Sequence, residues 1–374
     1  MKHLSSVLEG IKVTELAGVL AGPSVGMFLA ECGAEVIKVE PPGRGDVTRT
    51  WKLASEPSGT TLSSYFCSVN WGKSSRIIDL KSDAGREECY RLTDDSDIVL
   101  VSYKPGDDKK LGMDYETLKA GNPRLIYGAV TGFGADVDRA AYDAVVQAES
   151  GFMHINGTAE SGPLKLPVAL MDLLAAHLLK EKILLAMLHR ERTGQGSKVE
   201  VSLIEAALSS LANQGSAWLV AGSNPEPIGS EHPHIYPYGS VFETADGKKV
   251  LLAIGNDYEF ARLTKTLDKP ELADDPRFST NPQRSLNRNA LKEILSDLFN
   301  KVADGDKLLA TIHENRVPAG ALLNISEACE KYRRSEWFSA ETKAYGAIRG
   351  IPGISFGEFT RKLSPPPELG GKIR

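Results

Sequence analysis

The chain has 374 residues, 41% of them hydrophobic and 25% charged, with a net charge of -5. That composition is ordinary for a soluble globular protein, and the length suits two domains or one large one. The acidic balance argues against nucleic acid or an anionic membrane as the main partner, but local basic residues can still hold a small anion. The cysteines, Cys32, Cys67, Cys89 and Cys329, are far apart and show no CxxC or His-paired spacing. They read as reduced thiols, neither a disulfide frame nor a metal set. The start, "MKHLSSVLEGIKV", lacks a long apolar signal-type segment, and the apolar run after it is broken by Gly and Pro. The expected setting is the cytoplasm, with no membrane span.

In chain order, "GIKVTEL" is a short β-branched strand. "GPSVGMFLAECG" follows as a helix, with Pro23 in its first turn and Gly33 at its stop. "AEVIKVEPP" is a second buried-strand run, so the three make a βαβ unit. The pattern recurs as "SSRIIDL", the helical "DAGREECYRLTDDS", "DIVLVSYKPG", the helical "DYETLKAGN" and "RLIYGAVTGFG". Alternating β and α with apolar strands predicts a parallel sheet covered on both faces, a Rossmann-like large domain in an α/β chain. Gly18, Gly22 and Gly26 are spaced by four and form no GxGxxG, so a nicotinamide cofactor is not supported. A long helix is predicted over 172–192, then a short strand and a further long apolar helix to 222. The Pro-, Gly- and His-rich 223–239 reads as a linker, and 240–330 as a smaller α+β domain that begins with a hairpin turning at Asp246-Gly247. The large domain is then 1–222, completed by 331–374 returning to it.

Asp172 is the most conspicuous residue, a carboxylate in the nearly apolar run "KLPVALMDLLAAHLLKEKILLAML". Away from water it needs donors. As a helix N-cap it would accept first-turn amides, and the partial positive charge there would keep it ionised. A poorly hydrated carboxylate is also what attack on a thioester carbonyl requires. "LAGVLAGPSVG" is either a tight strand–helix turn or a pocket lined by backbone N–H groups. In "EPPGRGDVTR", Arg44 and Arg49 are solvated charges or phosphate contacts. Tyr142 and Asp143 open a helix and matter chemically only if that start shares a cleft with Asp172. His232 and His234 in a Pro-rich turn are weak evidence for a metal, and no metal site is assigned. His177, five residues after Asp172, is rotated off its face and is expected to pack on the helix.

These pieces, in this order, resemble the family III CoA-transferases, the CaiB/BaiF group of formyl-CoA and carnitine CoA-transferases that also includes α-methylacyl-CoA racemase. The likeness is carried by "LEGIKVTELAGVLAGPSVGMFLAECGAEVIKVEPPGRGDVTR", "NWGKSSRIIDLKSDAG", "DIVLVSYKPG", "LGMDYETLKAGNPRLIYGAVTGFG", "YDAVVQAESG" and "ERTGQGSKVEVSLIEAAL". It implies a nucleophile at Asp172, preceded by Met171 where relatives often have Gly. It implies CoA contacts at Val19, Leu20, Ala21, Leu80, Ser102, Tyr103, Lys104, Lys110 and Leu111, with Tyr142 and Asp143 at the same site. Two basic residues of some relatives are Pro41 and Ala140 here, and Arg44, Lys104, Lys109 or Lys110 would replace them. The racemase branch has a His where Tyr142 stands. A phenol with a solution pKa near ~10 is a poor base at neutral pH, which favours transfer over racemisation. The resemblance further implies an interlocked homodimer and acyl-CoA with a small organic acid as substrates. CoA is a substrate in this scheme, with no permanently bound cofactor; succinyl-CoA and a short dicarboxylate are the expected pair. The rivals are an acyl-CoA racemase or epimerase, and a CoA-binding scaffold without catalysis.

Overall fold

The computed structural model describes residues 6–332 and 363–371, and the backbone of 341–342 and 346–347. Contacts divide the chain into two units, one built on 6–152 and 165–216 with the described residues of the C-terminal tail, the other on 153–164 and 217–332.

The first unit is a sheet of six parallel strands: β1 (Lys12–Glu15), β2 (Glu35–Glu40), β3 (Lys73–Ile77), β4 (Ile98–Val101), β5 (Ile126–Thr131) and β6 (Ser197–Ser202). Their order is β3-β2-β1-β4-β5-β6. The chain runs outward from β1 to one edge and from β4 to the other. At that reversal the loops leaving β1 and β4 diverge to opposite faces and open a crevice at the strands' C-terminal ends.

Around the sheet lie α1 (Ala21–Glu31), α2 (Asp83–Asp94), α3 (Asp143–Glu149), α4 (Leu170–Thr193) and α5 (Leu203–Ser209). Met171, Ala175, Leu179 and Ile183 recur every fourth residue along α4 and bury one stripe of it against Val25 and Leu29 of α1 and Ile98, Ile126 and Val201 of the sheet. The helix stops at Gly194, whose left-handed φ of 75° costs a residue without Cβ nothing. The other sheet face buries Val39, Val99, Val101 and Tyr127 with Cys89 of α2.

The mouth of β1 is built on buried charge. Glu15 is fully buried between Lys38 of β2 (3.0 Å) and Lys73 of β3 (2.8 Å). Gly26 of α1 lies directly over this group, and a Cβ there would meet Glu15 Oε2 at 1.8 Å. Here the glycine is required by close approach, since an apolar helix face could not otherwise reach a carboxylate held by two lysines. The tail returns to this region: Leu363 packs near Trp71, Gly72 N–H donates to Ser364 O (2.9 Å), and Arg49 donates to Pro367 O (3.1 Å). Much of the returning segment expected at 331–374 lies outside the described residues.

The second unit carries an antiparallel sheet of β7 (Tyr238–Glu243), β8 (Lys249–Ala253) and β9 (Ala319–Ala321), in the order β9-β8-β7. Helices α6 (Asp257–Thr266), α7 (Arg288–Asn300) and α8 (Gly305–Glu314) cover it, and Phe242, Val250, Phe260, Leu295, Phe299 and Ile312 form its core. Gly247 takes the turn between β7 and β8 at φ 82°.

The division departs from the sequence reading in two ways. Residues 153–164 and 217–222, expected in the large domain, belong to the second unit, where Gly229 N–H donates to Gly157 O at 2.6 Å. The long helix expected up to 222 is two helices, α5 and Ala212–Ala221, broken at Ser210 and Leu211, with Ala212 left-handed (φ 49°) at the start of the second. Among the described residues, no helix is long and apolar enough to cross a membrane.

Candidate active site

At the crevice between β1 and β4 lies a cavity of about 260 Å³. The turn after β1 (Gly18–Ala21), the segment after β4 (Ser102–Pro105), the end of β5 (Val130–Gly132), and the approach to α3 (Arg139–Asp143) supply its walls. Asp172, from the first turn of α4, completes it. The start of α3 therefore does share a cleft with Asp172, the condition on which Tyr142 and Asp143 depended.

Asp172 is not the N-cap. Ala169 occupies that position and offers no side-chain cap; Asp172 is the third residue of the helix. The capping is done from elsewhere. Asp143 Oδ1 accepts the Met171 N–H (2.8 Å), and its Oδ2 accepts from Gln147 Nε2 (2.5 Å). Gln147 Oε1 in turn accepts the Leu166 N–H (2.8 Å), which ties down the chain entering α4. Met171, where relatives often have Gly, is fully buried in the core and strains nothing.

This arrangement overturns the expectation that the helix end holds Asp172 ionised. Among the described residues nothing donates a hydrogen bond to its carboxylate. Burial, with the Asp143 charge added, pushes its pKa up to about 7. Near neutrality a substantial fraction is a carboxylate with little solvation, which is the reactive condition for an oxygen nucleophile.

Other expected residues divide sharply. Val19, Leu20, Ala21, Ser102, Tyr103, Lys104, Tyr142 and Asp143 all line the cavity. Arg44, Leu80, Lys110 and Leu111 do not. Arg44 is exposed on its loop, and Lys110 is an exposed partner of Asp107 (2.9 Å). Leu80 and Leu111 pack against the sheet's second core. Arg49, weighed as a phosphate contact, is buried in an ion pair with Glu40 (2.7 Å) and serves the fold. Tyr142 is 64% exposed at the rim of the cavity. His177 is exposed instead of packed on its helix.

Three residues were missed. Arg139 lines the cavity, paired with Glu149 and stacked on Phe133. Thr131 lines it with a buried hydroxyl that has no partner among the described residues. Tyr65, half-buried near Val19 and Leu173, has its pKa pushed up to about 12, by burial first and then by the charges of Asp172, Asp143 and Asp46. A charge beside an aromatic in "DRAAYD" was the only signal for Arg139; nothing local marked the other two.

A crevice at the strand-order reversal, with a buried carboxylate of raised pKa in its wall, is where an α/β enzyme carries its active site. The family model for CoA-transferase family III matches residues 8–372. A succinate–glutarate CoA-transferase of Agrobacterium fabrum is 40% identical over 333 residues, covering 87% of this chain and 82% of that protein. The human succinyl-CoA:glutarate CoA-transferase is 33% identical over 373 residues, 98% of this chain and 84% of that one. The crystal structure of a CaiB/BaiF family protein from Brucella suis superposes with a TM-score of 0.86 at 36% identity, covering 98% and 97% of the two chains. The chain belongs to family III of the CoA-transferases, and CoA thioesters are its substrates.

Proposed function

We propose that the enzyme moves CoA from succinyl-CoA to a short dicarboxylic acid through a covalent adduct on Asp172. The observation that carries this is a carboxylate with no hydrogen-bond donor among the described residues and a pKa near neutrality, in the wall of a cavity at the sheet's reversal. The names of the two transferase relatives support the substrate pair. In the first step an Asp172 oxygen attacks the thioester carbonyl carbon, the C–S bond breaks, and CoA leaves as thiolate, giving a mixed anhydride. The thiolate then attacks the Asp172 acyl carbon, expelling succinate and leaving an aspartyl-CoA thioester. The acceptor carboxylate reverses both steps, so no ATP is needed. With the Gly18 and Val19 amides already committed to Ser102 and Asp46, the backbone N–H groups of Leu20 and Ala21 in the cavity wall would steady the tetrahedral oxyanion. Lys104 and Arg139, the cations in the cavity wall, suit the CoA phosphates and the acceptor's second carboxylate.

Incubating succinyl-CoA with a panel of organic acids should yield new thioesters by mass detection, dicarboxylates foremost. Hydroxylamine should convert Asp172 to a hydroxamate only when acyl-CoA is present. Deuterium uptake at Cα from heavy water without any acid acceptor would overturn transfer in favour of racemisation.

The working unit is proposed to be a homodimer. Trp218, Leu219 and Val220 are 58%, 82% and 87% exposed on the helix Ala212–Ala221, and Leu184, Leu185 and Leu188 are exposed on α4. Exposed apolar side chains on either helix are the kind that a second copy would cover. Sedimentation should give about twice the mass of one chain; a monomer at micromolar concentration would sink the assignment.

A further inference from the structure

Three consecutive residues of the turn that walls the cavity are each gripped from a different part of the unit. Lys38 Nζ donates to Ala17 O (2.8 Å), Gly18 N–H donates to Ser102 Oγ (3.0 Å), and Val19 N–H donates to Asp46 Oδ2 (3.2 Å). Val19 stands at φ 68°. For a β-branched residue that is a strained conformation, which persists only where the surroundings enforce it.

The enforcing group is built for the purpose. Asp46 is 6% exposed, and its Oδ2 also takes the Lys38 ammonium at 2.9 Å. Its Oδ1 accepts both the N–H and the hydroxyl of Thr48 (2.9 and 2.7 Å). Burial alone would raise its pKa; Lys38 and Thr48 more than offset that and hold it below the usual carboxylate range. Lys38 is anchored in turn on Glu15. Neither Asp46 nor Lys38 lines the cavity.

We propose that Asp46, backed by Lys38, is a positioning residue that holds Val19 in its left-handed conformation and so aims the backbone of the 18–21 turn at a thioester bound over Asp172. The proposal rests on the reading of Asp172 as nucleophile. A purely structural Asp46 would affect the melting temperature and nothing else.

The test is a double-mutant cycle. Asp46→Asn keeps the size and an acceptor oxygen but removes the charge, and should lower kcat about tenfold with a smaller change in KM. Val19→Gly takes a positive φ without strain, so in the Asp46→Asn background it should recover roughly threefold or more of kcat, whereas alone it should not raise kcat. If Asp46→Asn does not fold, Asp46→Ser carries the same cycle. A double variant no faster than the single one, with both folded by circular dichroism, overturns the proposal. Hydroxylamine trapping separates the two readings. A wild-type enzyme that gives no Asp172 adduct removes the nucleophile; an Asp46→Asn enzyme that forms the adduct at the wild-type rate removes only the positioning role.

Discussion

Replacing Asp172 by alanine should lower kcat for CoA transfer by roughly 10³-fold or more, since loss of a covalent nucleophile leaves only what binding and the remaining dipoles contribute. The fold should survive. Asp172 anchors nothing: among the described residues no donor is left unpaired when its carboxylate goes, and the amide that a cap would have served is already satisfied by Asp143 (2.8 Å). The buried stripe of α4 consists of Met171, Ala175, Leu179 and Ile183, which the substitution leaves in place. The measurement is steady-state transfer with succinyl-CoA beside a thermal melt. An alanine variant that folds and retains full transfer would end the role assigned to this residue.

The pH dependence of stability should bear the mark of the same carboxyl. Its pKa is about 7 in the folded protein, raised by burial from the ordinary 3.8 of the unfolded chain. Between those values the folded chain holds a proton that the unfolded chain has released. Stability from this group is therefore fully present below pH 3.8 and is lost as the pH rises through about 7. The difference corresponds to at most about 4 kcal/mol at alkaline pH, at ~1.4 kcal/mol per pH unit. Asp172→Asn, which cannot ionise, should melt higher than wild type at pH 8, with the gap narrowing by pH 5 and closing below about pH 4. Mass measurement excludes deamidation back to the acid. In the native enzyme kcat/KM should rise with pH through an apparent pKa of about 7. Asp143→Asn keeps an oxygen to accept the Met171 N–H but drops the neighbouring charge, so it should move that limb to lower pH. A melting gap that does not change with pH, or a flat rate profile between pH 5 and 8, would contradict the burial of Asp172 on which both expectations depend.

The sequence by itself determined the alternation of strands and helices and the Rossmann-like character of the large unit, and it singled out Asp172 as the candidate nucleophile. These are local or serial signals. β-branched runs such as "EVIKVE" report burial on both sheet faces, and a lone Asp before an apolar helix is visible without coordinates. The ordered series of motifs supplied the family, which the match over residues 8–372 then showed.

Only the tertiary structure decided how Asp172 is treated. From the sequence a carboxylate at a helix start reads as a cap kept ionised by the helix. That it is instead the third residue, without a donor among the described residues and with its pKa raised to about 7, depends on Asp143 arriving from 29 positions upstream to do the capping. Likewise Arg44 and Arg49 lie five residues apart on one loop, yet one is free in solvent while the other is sealed against Glu40 and the returning tail. Val19 gave no sign of strain in the sequence, because its conformation is imposed by Asp46, 27 residues away. The physical reason is common to all three: periodicity encodes which face of an element is dry, but the fate of a charge is set by which partners the fold brings within hydrogen-bond reach, and those come from distant parts of the chain.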